Sequence, residues 1–214
     1  MNSDIVSYYR DRAKEYEKIY SKPERQSDLL LAEQILKDIF AGKDVFEIAC
    51  GTGYWTQKIS ATAKNILATD INDTVIEVAK SKNYSPAKVD FQTADIFELT
   101  KNKKHESLFG GFIWSHINLQ DLNKFICTVN NLVCSFGTIV FMDNNYVGGS
   151  NHPVTDKDDF GNTYQTRTLE NGSKHKVLKN FPTEKFLRQI LTDKATDVEF
   201  ISLQYYWILK YKTI

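Results

Sequence analysis

Only three of the 214 residues are cysteine and four are proline. Cys50, Cys127 and Cys134 form no CxxC pair and no framework spacing, which excludes a disulfide scaffold and a thiolate metal site. Cys127 and Cys134 lie seven apart and are expected to be small core residues sharing a helix face. A basic excess is also missing: Lys+Arg and Asp+Glu balance at 27 each. A duplex-binding protein draws affinity from neutralising phosphates, so no nucleic-acid partner is expected. No apolar run approaches the ~20 residues that cross a bilayer. The opening Met1-Asn2-Ser3-Asp4-Ile5-Val6 has no apolar signal core, so no membrane and a reduced, cytoplasmic setting are expected. Internal repeats and low-complexity stretches are absent. What remains, 42% hydrophobic and 25% charged, suits a single globular domain over 1–214.

The hydrophobic pattern alternates. Residues 4–20 read as a polar, tyrosine-rich helix. After Pro23, Leu29, Ala32, Leu36 and Ile39 mark a second helix with one buried face. Together, residues 1–41 form an N-terminal helical cap. Strands are expected at 45–49, 66–70, 89–91, 112–114 and 138–142. Helices are expected at 54–61, after Asn72, and over 119–133, where Leu119, Leu122, Ile126, Val129 and Val133 step 3-4-3-4. This order predicts an α/β, doubly wound, mostly parallel sheet. At 145–180 the alternation stops. Strands at 163–169 and 173–178 flank Asn171-Gly172, a hairpin signal. A helix near 183–191 and strands near 198–203 and 205–211 close a seven-stranded sheet with an antiparallel C-terminal strand.

The informative string is Glu47-Ile48-Ala49-Cys50-Gly51-Thr52-Gly53. It joins a strand to a helix, and its glycines let backbone approach a ligand. The dinucleotide fingerprint needs a third glycine. That position falls on Thr56 or Tyr54, depending on the register, which argues against NAD. An acidic residue, Asp70, ends the second strand.

This string resembles motif I of the class I, Rossmann-like S-adenosylmethionine-dependent methyltransferases, with Ala49 replacing the first glycine. With Tyr8-Tyr9 and Lys22-Pro23-Glu24-Arg25-Gln26, it is similar to small bacterial members of unassigned substrate. The resemblance implies the cofactor S-adenosyl-L-methionine, with S-adenosyl-L-homocysteine as product. It implies that backbone at Ala49, Gly51 and Gly53 cradles the methionine part and that Glu47 accepts from its amino group. Asp70 would take the ribose hydroxyls, with two acceptor oxygens for two donors. Ile71 would pack on the adenine, and Asp95 and Ile96 would meet its edge. Trp114 would wall the methionine side. Arg25 would pair with the cofactor carboxylate, and Tyr9 (or Tyr8 or Tyr16) would close over it.

Methyl transfer from a sulfonium needs alignment and exclusion of water, and a base only where the nucleophile carries a proton. His116, after the fourth strand, is the candidate catalytic base. His152 is a weaker candidate. Trp114-Ser115-His116-Ile117 is not the Pro-Pro-aromatic string of amino-methylating nucleic-acid enzymes. Asp143-Asn144 fits half of the Mg²⁺ pattern of catechol O-methyltransferases, but Ser115 stands where its first aspartate would be, so no metal is expected. The 145–180 insertion would cover the acceptor pocket. The expected function is methyl transfer to N, O or S of a small molecule by a monomer or homodimer. The alternatives are a non-catalytic cofactor-binding partner and a protein or RNA methyltransferase.

Overall fold

The computed structural model describes residues 8–10, 12, 16–99 and 104–214. About half of the expected first helix, residues 4–7, 11 and 13–15, lies outside them. Tyr8–Arg10 are helical, and Tyr16–Ser21 and Pro23–Arg25 are 3-10 turns. Helix α1 (Gln26–Phe40) turns Leu29, Ala32, Leu36 and Phe40 inward. The alternation then runs β1 (Asp44–Ile48), α2 (Tyr54–Ile59), β2 (Asn65–Asp70), α3 (Asp73–Lys80), β3 (Lys88–Thr93), β4 (His105–Gly111), α4 (Leu122–Asn131) and β5 (Val133–Asn144). A small sheet of β6 (Asp156–Lys157), β7 (Thr163–Thr168) and β8 (Lys174–Leu178) follows. Helix α5 (Glu184–Ile190), β9 (Ala195–Ser202) and β10 (Tyr206–Thr213) complete the chain.

The main sheet has the order β3-β2-β1-β4-β5-β10-β9. Its strands are parallel except β10, which runs antiparallel to β5 and β9. Four of the five β1 residues are buried, because β1 is central and covered on both faces. On one face α1 and α2 pack Leu36, Phe40, Trp55 and Ile59 against the sheet. On the other, α4 and α5 bring Phe125, Ile126, Val129 and Leu187. The chain leaves β1 toward β2 and β3, then returns to pair β4 on its other side. That reversal opens a crevice at the carboxyl ends of β1 and β4, where open α/β sheets bind ligands.

Three expectations are corrected. The fourth strand is His105–Gly111, not 112–114. Residues Ser107–Gly111 pair with β5, and Phe112, with φ of 58°, turns out of the ladder. Trp114–His116 is then a 3-10 turn. Its apolar triplet is buried by loop packing, which a hydrophobicity pattern cannot tell from a strand. The 119–133 helix starts as a 3-10 turn at Leu119–Asp121, and Val133 already belongs to β5. Cys127 and Cys134 are therefore on different elements, and both are exposed rather than core. Strand β6 had no signal in its sequence, Asp156-Lys157.

Candidate functional site

The loop after β1 is built on left-handed backbone. Ala49, Gly51 and Gly53 have φ of 51°, 56° and 77°. At Ala49 this conformation costs roughly 1–2 kcal/mol, because Cβ crowds the next carbonyl. Cys50 N–H donates to the Thr69 carbonyl at 2.9 Å, and Thr69 Oγ1 donates to the Glu47 carbonyl at 3.0 Å. Gly51 N–H and Asn72 N–H each donate to one oxygen of Asp70, both at 2.9 Å. Asp70 thus ties the loop to the end of β2. Each of its oxygens keeps a second lone pair for a ligand hydroxyl.

Above this loop lies an open cleft of about 810 Å³, counting the solvent space at its mouth. Ala49, Gly51, Asp70, Ile71, Asp95 and Ile96 line it. Asp95 Oδ1 accepts from Phe97 N–H at 2.9 Å, which fixes its turn. A smaller recess of about 290 Å³ continues past Gly51 to Tyr20, Glu47 and Trp55. Glu47 is 2% exposed, and its Oε2 has no hydrogen-bond partner. Burial, with the Asp70 charge adding to it, pushes its carboxyl up to about 8. A buried acceptor without a donor is costly, so this recess fits a ligand cation or N–H donor.

A second cleft of about 640 Å³ adjoins the first. Tyr9, Phe112 and His116 line both. Its other walls carry Lys22, Arg25, His152, Arg167 and Lys179. Tyr9 Oη lies 2.7 Å from His116 Nε2, and His116 Nδ1 lies 2.6 Å from the Leu178 carbonyl oxygen. A carbonyl only accepts, so Nδ1 carries the proton and Nε2 accepts from the Tyr9 hydroxyl. Burial, followed by the Lys179 charge, holds His116 well below the usual imidazole range, so it is neutral. Lys179 Nζ donates to Asp143 Oδ1 at 2.8 Å and to Ser115 Oγ at 2.6 Å. Burial pushes the Asp143 carboxyl up, but the Lys179 charge, with the Ser115 N–H, outweighs it and holds it below its usual range.

The expected site residues divide among these spaces. Ala49, Gly51, Asp70, Ile71, Asp95 and Ile96 come together along the first cleft, and Glu47 faces the recess. Gly53 lines none of the three; a Cβ there would strike the Tyr84 hydroxyl and Ala79. Arg25 stands in the second cleft and is not among the residues lining the first. Trp114 is not a wall of any of these spaces: it is 1% exposed and packs edge-on against Phe125, Phe141 and Trp207. Phe112, two residues earlier, takes the wall position because the strand ends there. The side chain of Tyr16 lies outside the described residues. Sequence reasoning missed Phe112, and it placed Lys179 and Arg167 only within the insertion expected to cover the acceptor pocket. Gly110-Gly111 ahead of Phe112 was the one available signal. Asp143-Asn144 is held by the Lys179 ammonium, which the sequence did not foretell.

Comparison with known proteins agrees with this geometry. Residues 45–137 match a family described as "Methyltransferase domain". A malonyl-[acyl-carrier protein] O-methyltransferase of Acetivibrio thermocellus is 28% identical over 133 residues, 61% of this chain but only 44% of that protein. An uncharacterized methyltransferase of Bacillus pumilus is 23% identical over 207 residues, 95% of this chain and 92% of its own. The solved structure described as a DhpI–SAH complex shares the fold, with a TM-score of 0.81 and 24% identity over 98% of this chain and 95% of its own. Residues 45–137, less than half of the chain, thus resemble a methyltransferase domain, and the fold is the one seen in the solved SAH complex.

Proposed function

We propose that the protein transfers a methyl group from S-adenosylmethionine to an N, O or S atom of a small molecule by in-line displacement. The observation that carries this reading is the meeting of two clefts at Tyr9, Phe112 and His116. One cleft has the lining of a nucleoside site, and the other is open to a second reactant. The residues present fit the cofactor. Its amino group would give Glu47 Oε2 the donor it lacks, and its ribose hydroxyls would meet the remaining lone pairs of Asp70. Ile71 and Ile96 would cover the adenine. When bound, the cofactor supplies a methyl group already activated by a positive sulfur.

The rest is positioning. Phe112 and Tyr9 would exclude water from the junction, where holding reactants in line accounts for much of the acceleration. Neutral His116, anchored on Leu178, would orient the Tyr9 hydroxyl at the junction. Residues 1–41 would act as a cap and 145–180 as the acceptor-side wall. No helix among the described residues is long and apolar enough to cross a membrane, which fits a cytoplasmic setting. The test is an acceptor panel read by S-adenosylhomocysteine release, with calorimetry of the cofactor. Wild type should bind and turn over. Cofactor affinity unchanged in Asp70→Ala would overturn the site. Binding without turnover on a broad panel would favour a non-catalytic partner.

A further inference from the structure

The second cleft carries a charge that the rest of the molecule does not. The chain as a whole has equal numbers of basic and acidic residues. Yet Arg12, Lys22, Arg25, Arg167 and Lys179 line this one space, with His116 and His152, and among the described residues none of its lining is Asp or Glu. Lys179 is answered by Asp143. The others named below are not. Arg167, 9% exposed, donates from Nε and Nη2 to one neutral oxygen, Gln165 Oε1, at 3.2 and 2.8 Å. Its Nη1 reaches the Tyr8 hydroxyl at 3.5 Å, and the Tyr9 hydroxyl is a further neutral neighbour. Arg25, 6% exposed, donates to Ser150 Oγ at 2.9 Å and Asn144 Oδ1 at 3.2 Å, and lies over the Tyr205 and Tyr206 rings. Lys22 Nζ donates to the Ser150 carbonyl. Among the described residues, no carboxylate lies within ion-pair distance of Arg25, Arg167 or Lys22. The Glu24 carboxylate reaches Arg25 only through the shared Ser150 hydroxyl, and Arg167 has no carboxylate partner among the described residues. A buried guanidinium so placed is expensive, and the fork geometry of both arginines suits a carboxylate or phosphate.

We infer that the acceptor is a small oxyanion acid, held by Arg167, Arg25 and Lys22, and that the methyl group is placed on one of its ionised oxygens. The inference rests on the methyl-transfer reading above. The acid oxygen attacks the methyl carbon with its own lone pair, the C–O bond forms, and the C–S bond breaks with its electrons going to sulfur. The products are a methyl ester and a neutral thioether, and no proton is released. This accounts for His116: its Nε2 is already engaged by the Tyr9 hydroxyl, so it is poorly placed to deprotonate an alcohol or amine, and an ionised acid needs no base. An ammonium acceptor would be repelled by the same cations.

The cofactor's own carboxylate is the competing source of negative charge, and the experiment separates the two. The protein saturated with S-adenosylhomocysteine is titrated with inorganic phosphate, with acetate and with chloride, by calorimetry. Phosphate or acetate is expected to bind saturably and at least tenfold more tightly than chloride; which of them binds better distinguishes a phosphate-type acid from a carboxylic one. Arg167→Gln should weaken that anion about 100-fold while S-adenosylhomocysteine affinity stays within about twofold. Lys22→Gln, at a more exposed position, should weaken the anion about tenfold and guards against misfolding of the arginine variant. No preference over chloride overturns the inference. So does a fall in S-adenosylhomocysteine affinity that matches the fall in anion affinity, since the cations would then serve the cofactor. Failure of wild type to bind S-adenosylhomocysteine at all would instead sink the methyl-transfer reading.

Discussion

Replacing Glu47 by Gln isolates one proton at the bottom of the cofactor site. The carboxyl is buried, Oε2 has no partner, and it holds its proton to about pH 8. An unfolded glutamate ionises near ~4.3. Between these values the unfolded chain binds fewer protons than the folded one, so stability falls as pH rises. At pH 7 the upper bound on this cost is about 4 kcal/mol, at about 1.4 kcal/mol per pH unit. Local relaxation and water entry would reduce it to about 2 kcal/mol. Glutamine keeps the shape and cannot ionise. Its advantage in the ligand-free protein should therefore be near zero at pH 4.5, and should reach a Tm rise of about 4–8 °C by pH 7. With cofactor the sign reverses. The ammonium needs the ionised carboxylate, so E47Q should bind S-adenosylhomocysteine about 10- to 100-fold more weakly. Binding to wild type at pH 7 should release close to one proton, read by calorimetry in buffers of different ionisation enthalpy, and E47Q should release none. A Tm difference that is the same at pH 5 and pH 8 would refute the reasoning, because the carboxyl would then be solvated and ionised in the fold.

The other predictions concern the loop, the junction and the buried pair. Ala49→Gly should stabilise by roughly 0.5–1 kcal/mol in urea titrations, once glycine's unfolded-state entropy is subtracted, because φ there is 51°. Tyr9→Phe should lower kcat about tenfold with cofactor affinity within about threefold; if His116 is neutral throughout, kcat should stay flat from pH 6 to 9 in both proteins. Lys179→Met should destabilise by about 3 kcal/mol, since it strands Asp143 unpaired. In wild type Asp143 is held below its usual range, so its contribution is complete above ~3.9 and is lost as pH falls through the lower folded value. In Lys179→Met burial dominates and the carboxyl rises, so stability should instead fall as pH increases from about 4. Asp143→Asn added to Lys179→Met should recover part of the loss; a double variant no more stable than the single one would show that the charge is not the cause.

The two halves of the site differ in how far the sequence could show them, and the reason is contact range. The proposed cofactor half is local: Glu47, Ala49, Gly51, Asp70 and Asp95 sit at or just past the ends of consecutive parallel strands, so the strand pattern and a glycine string place them together. The strand order follows from the same alternation, because right-handed crossovers leave few topologies. The proposed acceptor half is assembled across the chain. Arg25 meets Ser150 and Asn144, Arg167 meets Tyr8, Lys179 meets Asp143, and His116 meets Tyr9. None of these pairings has a spacing, so in an evenly charged sequence no partner within the chain could be named for any of these cations. Trp114 failed for the opposite reason. Its apolar neighbours looked like a strand pointing at the ligand, whereas a left-handed Phe112 ends the strand early and sends the indole into the core. Chemistry that uses the strand ends was therefore legible, and specificity that uses the insertion was not. It follows that relatives with the same motif string need not share an acceptor. Exchanging β7 and β8 between two of them should move acceptor preference while leaving cofactor affinity in place.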